Sequence, residues 1–190
     1  MRFRLFLLVA VLSGVIWIAG CSTTMKSRYK AGPSEPTARV LLIADTDSTG
    51  AMGHHYNFYL YQNSACEHGS AISLGGQLIA DLHQELPAVD IPAGREISLM
   101  VIHGEGRFGQ SRTCGDVVRL QPQSGQSYVL NFQVREQGMQ CTAKLRSPDS
   151  GEVASLPFTG CHALKGQGGK PVPNGQALVT QFHVKVVREP

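Results

Sequence analysis

The 190-residue sequence predicts a mainly β fold, an antiparallel β-sandwich of about 7–9 strands braced by disulfides. Three observations carry this expectation. Segments rich in β-branched and aromatic residues alternate between apolar and polar positions, as half-buried strands do. Clusters of Gly, Pro, Asp and Ser recur between them, and no strand-helix unit repeats.

The chain opens with Arg2 and Arg4, followed by an uncharged, mostly apolar run from Leu5 to Gly20. A charged start, an apolar middle and small residues at the end describe a secretory signal, and the run is slightly short for a span of about 20 residues. Ile18-Ala19-Gly20-Cys21 resembles the lipobox of bacterial lipoproteins. That resemblance implies cleavage before Cys21, diacylation of its thiol and acylation of the new amine. In this family an aspartate after the cysteine favours inner-membrane retention, so Ser22 implies the outer membrane, with the domain on the periplasmic face. At roughly 0.8 kcal/mol per buried methylene, three acyl chains would not release the protein.

Residues 1–20 are therefore expected to be a signal peptide and 21–37 a lipidated flexible tether. A single sandwich domain over 38–190 follows. The tether contains Lys26, Arg28, Lys30, Pro33 and Pro36 and shows no apolar period. As a coil of about 16 residues it would span roughly 20–25 Å. The 17 basic residues include Arg2 and Arg4, so the chain from Cys21 onward carries 15 basic residues against 14 acidic ones. That balance leaves no electrostatic footprint for nucleic acid.

In the domain, Arg39 to Ala44 reads as a short apolar strand, and Tyr56 to Tyr61 alternates Tyr56, Phe58 and Leu60 against Asn57, Tyr59 and Tyr61. Gln77 to Leu86 is ambiguous. Leu78, Ile79, Leu82 and Leu86 fit a helical stripe of good helix formers, so a short helix near 77–86 competes with a strand, which is favoured because its neighbours are strands. Glu96 to His103 alternates through Ile97, Leu99 and Val101 after Pro92-Ala93-Gly94. Ser127 to Arg135 is the clearest strand, with Tyr128, Leu130, Phe132 and Val134 on one side. Gln140 to Arg146 and Glu152 to Phe158 flank Pro148-Asp149-Ser150-Gly151, a turn by composition. Ala177 to Arg188 closes the chain as a long strand.

The stretch from Ala88 to Val101, with Val117 to Leu120 and Gly125 to Leu130, resembles the PEGA-type and prealbumin-like β-sandwich modules of bacterial envelope lipoproteins. The resemblance implies a sandwich in an envelope setting, mostly without enzyme activity, and transfers no functional residue. Four cysteines remain besides Cys21: Cys66, Cys114, Cys141 and Cys161. In an oxidising compartment two disulfides are expected, with three possible connectivities. A hairpin argument favours Cys141 with Cys161, leaving Cys66 with Cys114.

Candidate sites are few. Asp45-Thr46-Asp47-Ser48-Thr49 after a hydrophobic strand resembles the first motif of haloacid-dehalogenase-type phosphatases, which needs a parallel α/β sheet and a later acidic pair that this sequence lacks. Asp45, Asp47, Thr49 and Gly50 also fit the first half of a calcium loop, but its twelfth position is Tyr56 and not glutamate. Gly104 to Gly109 matches G-x-G-x-x-G without the helix that motif should open, so it reads as a hairpin loop. Cys66-Glu67-His68, Cys161-His162 and His54-His55 hold zinc-type ligands without zinc spacing.

Two surfaces suit binding. Tyr59 and Tyr61, about 7 Å apart on one strand face, could stack a sugar or receive a protein. The long loop from His162 to Gln176, carrying Lys165 and Lys170, could receive a partner. The sequence thus points to a non-enzymatic outer-membrane lipoprotein that requires no cofactor. It would serve as a binding or assembly module for an envelope protein or a cell-wall glycan, with the membrane as its anchor. The alternatives are a metal-dependent protein using the Asp45 loop and a glycan-binding module.

Overall fold

The structure, a computed structural model, describes residues 24–49, 51–62, 66, 70–148, 151–156, 175 and 177–181. The described residues form eleven strands in two sheets. They are β1 (Thr24–Met25), β2 (Thr37–Thr46), β3 (Gly53–Tyr61), β4 (Ile72–Ala80), β5 (His83–Pro92), β6 (Ile97–Arg107), β7 (Gln110–Leu120), β8 (Ser127–Arg135), β9 (Gln140–Ser147), β10 (Gly151–Val153) and β11 (Leu178–Gln181). One sheet has the order β1-β4-β3-β6-β7-β11 and the other β10-β9-β8-β2-β5. The β-sandwich is as expected, but the strand number exceeds nine, and β2 pairs with β8 in parallel while the other pairs run antiparallel.

Period-two patterning explains the core. Ala38, Val40, Leu42 and Ala44 of β2 and Tyr128, Leu130, Phe132 and Val134 of β8 share a cluster with Tyr56, Phe58 and Leu60 of β3 and Ile97, Leu99 and Val101 of β6. The six-stranded sheet buries part of its outer face too. Tyr61, Cys66, Met100 and Val117 form a second cluster there, which is why β6 is buried on almost every residue instead of every second one.

Three expectations are refined. No helix occupies 77–86: β4 ends at Ala80, the chain turns through Asp81 and Leu82, and β5 crosses into the other sheet. Leu78 and Leu82 are exposed, so no apolar stripe is buried; pairing with β3 and β2 outweighs local helix propensity. The described part of the 21–37 tether is docked along the sheet edge. Thr24 and Met25 pair with Gln77 and Gly76, the Arg28 N–H donates to the Ser73 carbonyl at 2.8 Å, and Tyr29 packs on the core. The open edge of β4 supplies backbone partners that the sequence of the segment does not advertise. Gln110 to Leu120 is a full strand, joined to β6 by the two-residue turn Phe108-Gly109, with Gly109 at φ 72°. Gly104 and Gly106 lie within β6, not in a loop.

Disulfides form as expected, but the favoured connectivity fails. Cys114 of β7 bonds Cys141 of β9, across the sandwich, with a Cα separation of 6.1 Å. Cys141 faces inward, toward the opposite sheet and not along its own hairpin, so sheet stacking decides the pairing. Cys66 is disulfide-bonded as well. Cys21, Cys161, Lys165 and Lys170 lie outside the described residues, as do 157–158 and 182–188 of the expected strands.

The Cys114–Cys141 bond closes a loop with a sequence separation of 27 residues. Chain-entropy reasoning gives a bridge of that span about 3.5 kcal/mol. We expect the Cys114→Ala/Cys141→Ala double variant to lose about 2–4 kcal/mol in denaturant unfolding. Peptide mapping of the oxidised protein should recover Cys114 linked to Cys141.

Candidate functional site

The inward faces of β3 and β6 become polar at the same end of the sandwich. Strand register sets Tyr56 opposite His103 and His54 opposite Glu105. On the other side of β6, His103 lies opposite Cys114 and Glu105 opposite Arg112. His54, His103 and Glu105 are 7%, 0% and 2% exposed, so this polar group belongs to the interior. His54 Nδ1 lies 3.2 Å from His103 Nε2 and 3.7 Å from Glu105 Oε2. The Tyr56 ring is tilted against His103, with ring centroids 5.1 Å apart.

Glu105 uses one oxygen and leaves the other. Its Oε1 accepts from Arg107 Nε at 2.6 Å and lies 3.7 Å from Arg112 Nη1, whereas Oε2 is buried without a hydrogen-bond partner. His103 Nδ1 and the Tyr56 hydroxyl are likewise buried and unpaired. Burial, reinforced by His54 and His55, pushes the His103 pKa down to about 3, so the ring is neutral at ordinary pH. Burial comes first in raising the Tyr56 pKa, followed by the nearby Asp45 and Glu105 charges.

The turn between β8 and β9 roofs this group. Glu136, Gln137 and Gly138 take φ values of 54°, 54° and 90°, a run of left-handed backbone that two non-glycine residues rarely share. External bonds hold it. The Gln137 N–H donates to Asp47 Oδ1 at 3.0 Å and its side-chain amide to the Asp47 carbonyl at 2.8 Å, while the Gln137 carbonyl accepts from Arg107 and Arg112. Arg107 also donates to Ser48 Oγ. A Cβ at Gly138 would sit 2.7 Å from Glu105 Oε1, so glycine is required for the turn to close over the carboxylate.

These contacts resolve Asp45-Thr46-Asp47-Ser48-Thr49. Asp45 Oδ1 lies 2.6 Å from His83 Nδ1, Asp47 holds the roof and Thr49 is exposed. Asp45 and Asp47 each spend an oxygen on a different protein partner, and the stretch ends β2 and fastens a turn. Tyr61 is 2% exposed and belongs to the second core cluster, which removes it from any sugar-stacking surface. Tyr59 is half-buried and lines a cleft of about 540 Å³ with Arg28, Tyr29, Lys30, Gln62 and Ser73. His54 and His55 point to opposite faces of β3, and the His55 ring covers Gly104, where a Cβ would come within 2.0 Å of it. His103, Glu105 and Arg107 escaped the sequence reading. Their i, i+2, i+4 spacing on a strand, which puts them on one face, was the available signal.

Two measurements follow from this geometry. Gly138→Ala should cost roughly 1–2 kcal/mol more than Gly125→Ala: both adopt positive φ, but a Cβ at Gly125 meets nothing within 4 Å. Paired denaturant unfolding of the two variants measures the difference. The Asp45 hydrogen bond, then its charge, raises the His83 pKa above the ordinary value. With the folded value above the unfolded one, the stabilisation is fully present below about pH 6.5 and is lost as pH rises through the folded pKa. Proton NMR should find the His83 midpoint lowered in Asp45→Asn.

Comparisons with protein-family models, with curated proteins and with solved structures return no match for this chain, so the geometry itself must carry the functional reading.

Proposed function

We propose that the chain is a non-enzymatic lipoprotein, held by acylated Cys21 on the periplasmic face of the outer membrane. Its sandwich stands end-on against the bilayer as a binding or assembly module for an envelope partner. The observation that carries this reading is where the exposed apolar side chains sit. Phe108 is 97% exposed at the tip of the β6–β7 hairpin, and Met52 is 76% exposed beside it, its N–H bonded to the Gly106 carbonyl. Leu78 and Leu82, exposed near the β4–β5 turn, lie at the same end, because Ala80 pairs with His54 and His54 with Glu105. Met139, in the β8–β9 turn, joins them.

Single exposed apolar residues are ordinary, but several at one end of a domain mark a contact surface. The direction of the chain favours lipid as that contact. β1 runs antiparallel to β4, so the chain enters Thr24 from the Ala80 end, the end that carries these residues. Short apolar tips add burial to an acyl anchor and fix the domain's orientation. The cleft at Tyr59 lies toward the start of β4, away from that end, since Tyr59 pairs with Ser73. Its tyrosines, Arg28 and Lys30 suit an envelope protein segment or an acidic cell-wall glycan.

Trp17 is the sole tryptophan, and it lies in the proposed signal peptide. In the mature lipidated protein, Phe108→Trp therefore places the single tryptophan at the hairpin tip. In vesicles of phosphatidylethanolamine and phosphatidylglycerol we expect blue-shifted emission that brominated acyl chains quench. Solvent-like, unquenched emission would reject the end-on arrangement. Cys21→Ser should move the protein out of the membrane fraction.

A further inference from the structure

We propose that His54, His103 and Glu105 form a binding site for a divalent transition ion of the zinc type. One ligand atom from each residue lies within 4.8 Å of the other two. Tetrahedral zinc with bonds of about 2.0–2.1 Å to nitrogen and oxygen sets its ligands about 3.4 Å apart. The separations of 3.2 Å from His54 Nδ1 to His103 Nε2 and 3.7 Å from His54 Nδ1 to Glu105 Oε2 bracket that value. All three side chains come from two adjacent, paired strands, so the arrangement does not depend on a loop.

The unused polar atoms point the same way. Glu105 spends Oε1 on Arg107 and leaves Oε2 buried, unpaired and directed toward His54. A metal-ligating carboxylate has this division of labour, one oxygen held by an outer partner and the other free for the ion. Binding requires the proton shared by the two rings to move to an outer ring nitrogen of His54 or His103. That proton stays on the imidazole pair.

The arginines determine which ion binds. Arg107 and Arg112 neutralise Glu105, so a hard cation that seeks anionic oxygen gains little here. The two imidazoles must supply the affinity, and imidazole favours zinc and copper over calcium and magnesium. Three protein ligands converge among the described residues, which leaves a fourth position for water or another donor.

The test uses the untagged mature protein, from Cys21 onward, in detergent, stripped with EDTA and titrated with Co²⁺, Zn²⁺, Ca²⁺ and Mg²⁺. We expect close to one equivalent of Co²⁺ with the intense visible bands of a four-coordinate site, displacement by Zn²⁺, and a thermal midpoint raised by Zn²⁺ but not by Ca²⁺ or Mg²⁺. His54→Gln leaves the Glu105–Arg107 pair intact and should fold, with Zn²⁺ affinity at least tenfold weaker. Glu105→Gln should lose the Zn²⁺-dependent rise in midpoint, whatever its stability in EDTA. Absence of stoichiometric uptake by the wild-type protein, or uptake unchanged in His54→Gln, would overturn the proposal. Neither outcome depends on whether the protein is anchored to a membrane.

Discussion

A carboxylate placed inside a β-sandwich must be neutralised where it stands, and the pairing of Glu105 with Arg107 imposes that requirement on one whole end of this protein. Leaving one partner of such a pair uncompensated costs about 3–5 kcal/mol, more than most single contacts contribute. The consequences spread through backbone as well as side chains. Arg107 and Arg112 need acceptors for their remaining N–H groups, and the Gln137 carbonyl serves both. Gln137 can present that carbonyl only from a left-handed turn, which Asp47 fastens from the opposite side. A strained turn, a strand end and a buried ion pair therefore stand or fall together.

The disulfide belongs to the same construction. Cys114 lies opposite His103 across the β6–β7 ladder, and its partner Cys141 lies two residues beyond the Met139 end of the roofing turn. Polar interiors pack less favourably than apolar ones, and the sheets are covalently clasped next to the place where their shared core turns polar.

Much of the fold was legible, because alternation is a local signal. Ser127–Arg135 begins and ends where its pattern does, and the inward set of Tyr128, Leu130, Phe132 and Val134 is the one that alternation selects. What escaped was set by partners distant in sequence. β1 is a strand because β4 has a free edge, and β7 is one because β6 lies beside it, although Gln110 to Gly115 has little apolar content of its own. The disulfide followed the stacking of two sheets, which no spacing encodes. The polar cluster escaped for a related reason. His103, Glu105 and Arg107 are separated by glycines that drew attention as a possible phosphate loop, and only pairing with His54 and Arg112 makes them a site.

The parallel pairing of β2 with β8 has a kinetic meaning. β2 is the second strand of the domain to emerge from synthesis, and its apolar stretch Leu41-Leu42-Ile43-Ala44 can pair on one side with β5 once that strand exists. Its other side must wait for Val129 to Phe132, after the five strands β3 to β7 have been made. Closure of so distant a ladder is slow because loop entropy is lost before any contact rewards it. Until then a flat, apolar β edge stands open to any other chain that could pair with it, the hazard that edge strands carry. In such a chain the order of assembly matters as much as the final contacts, because β2 stays unpaired on its β8 side until that strand has been made.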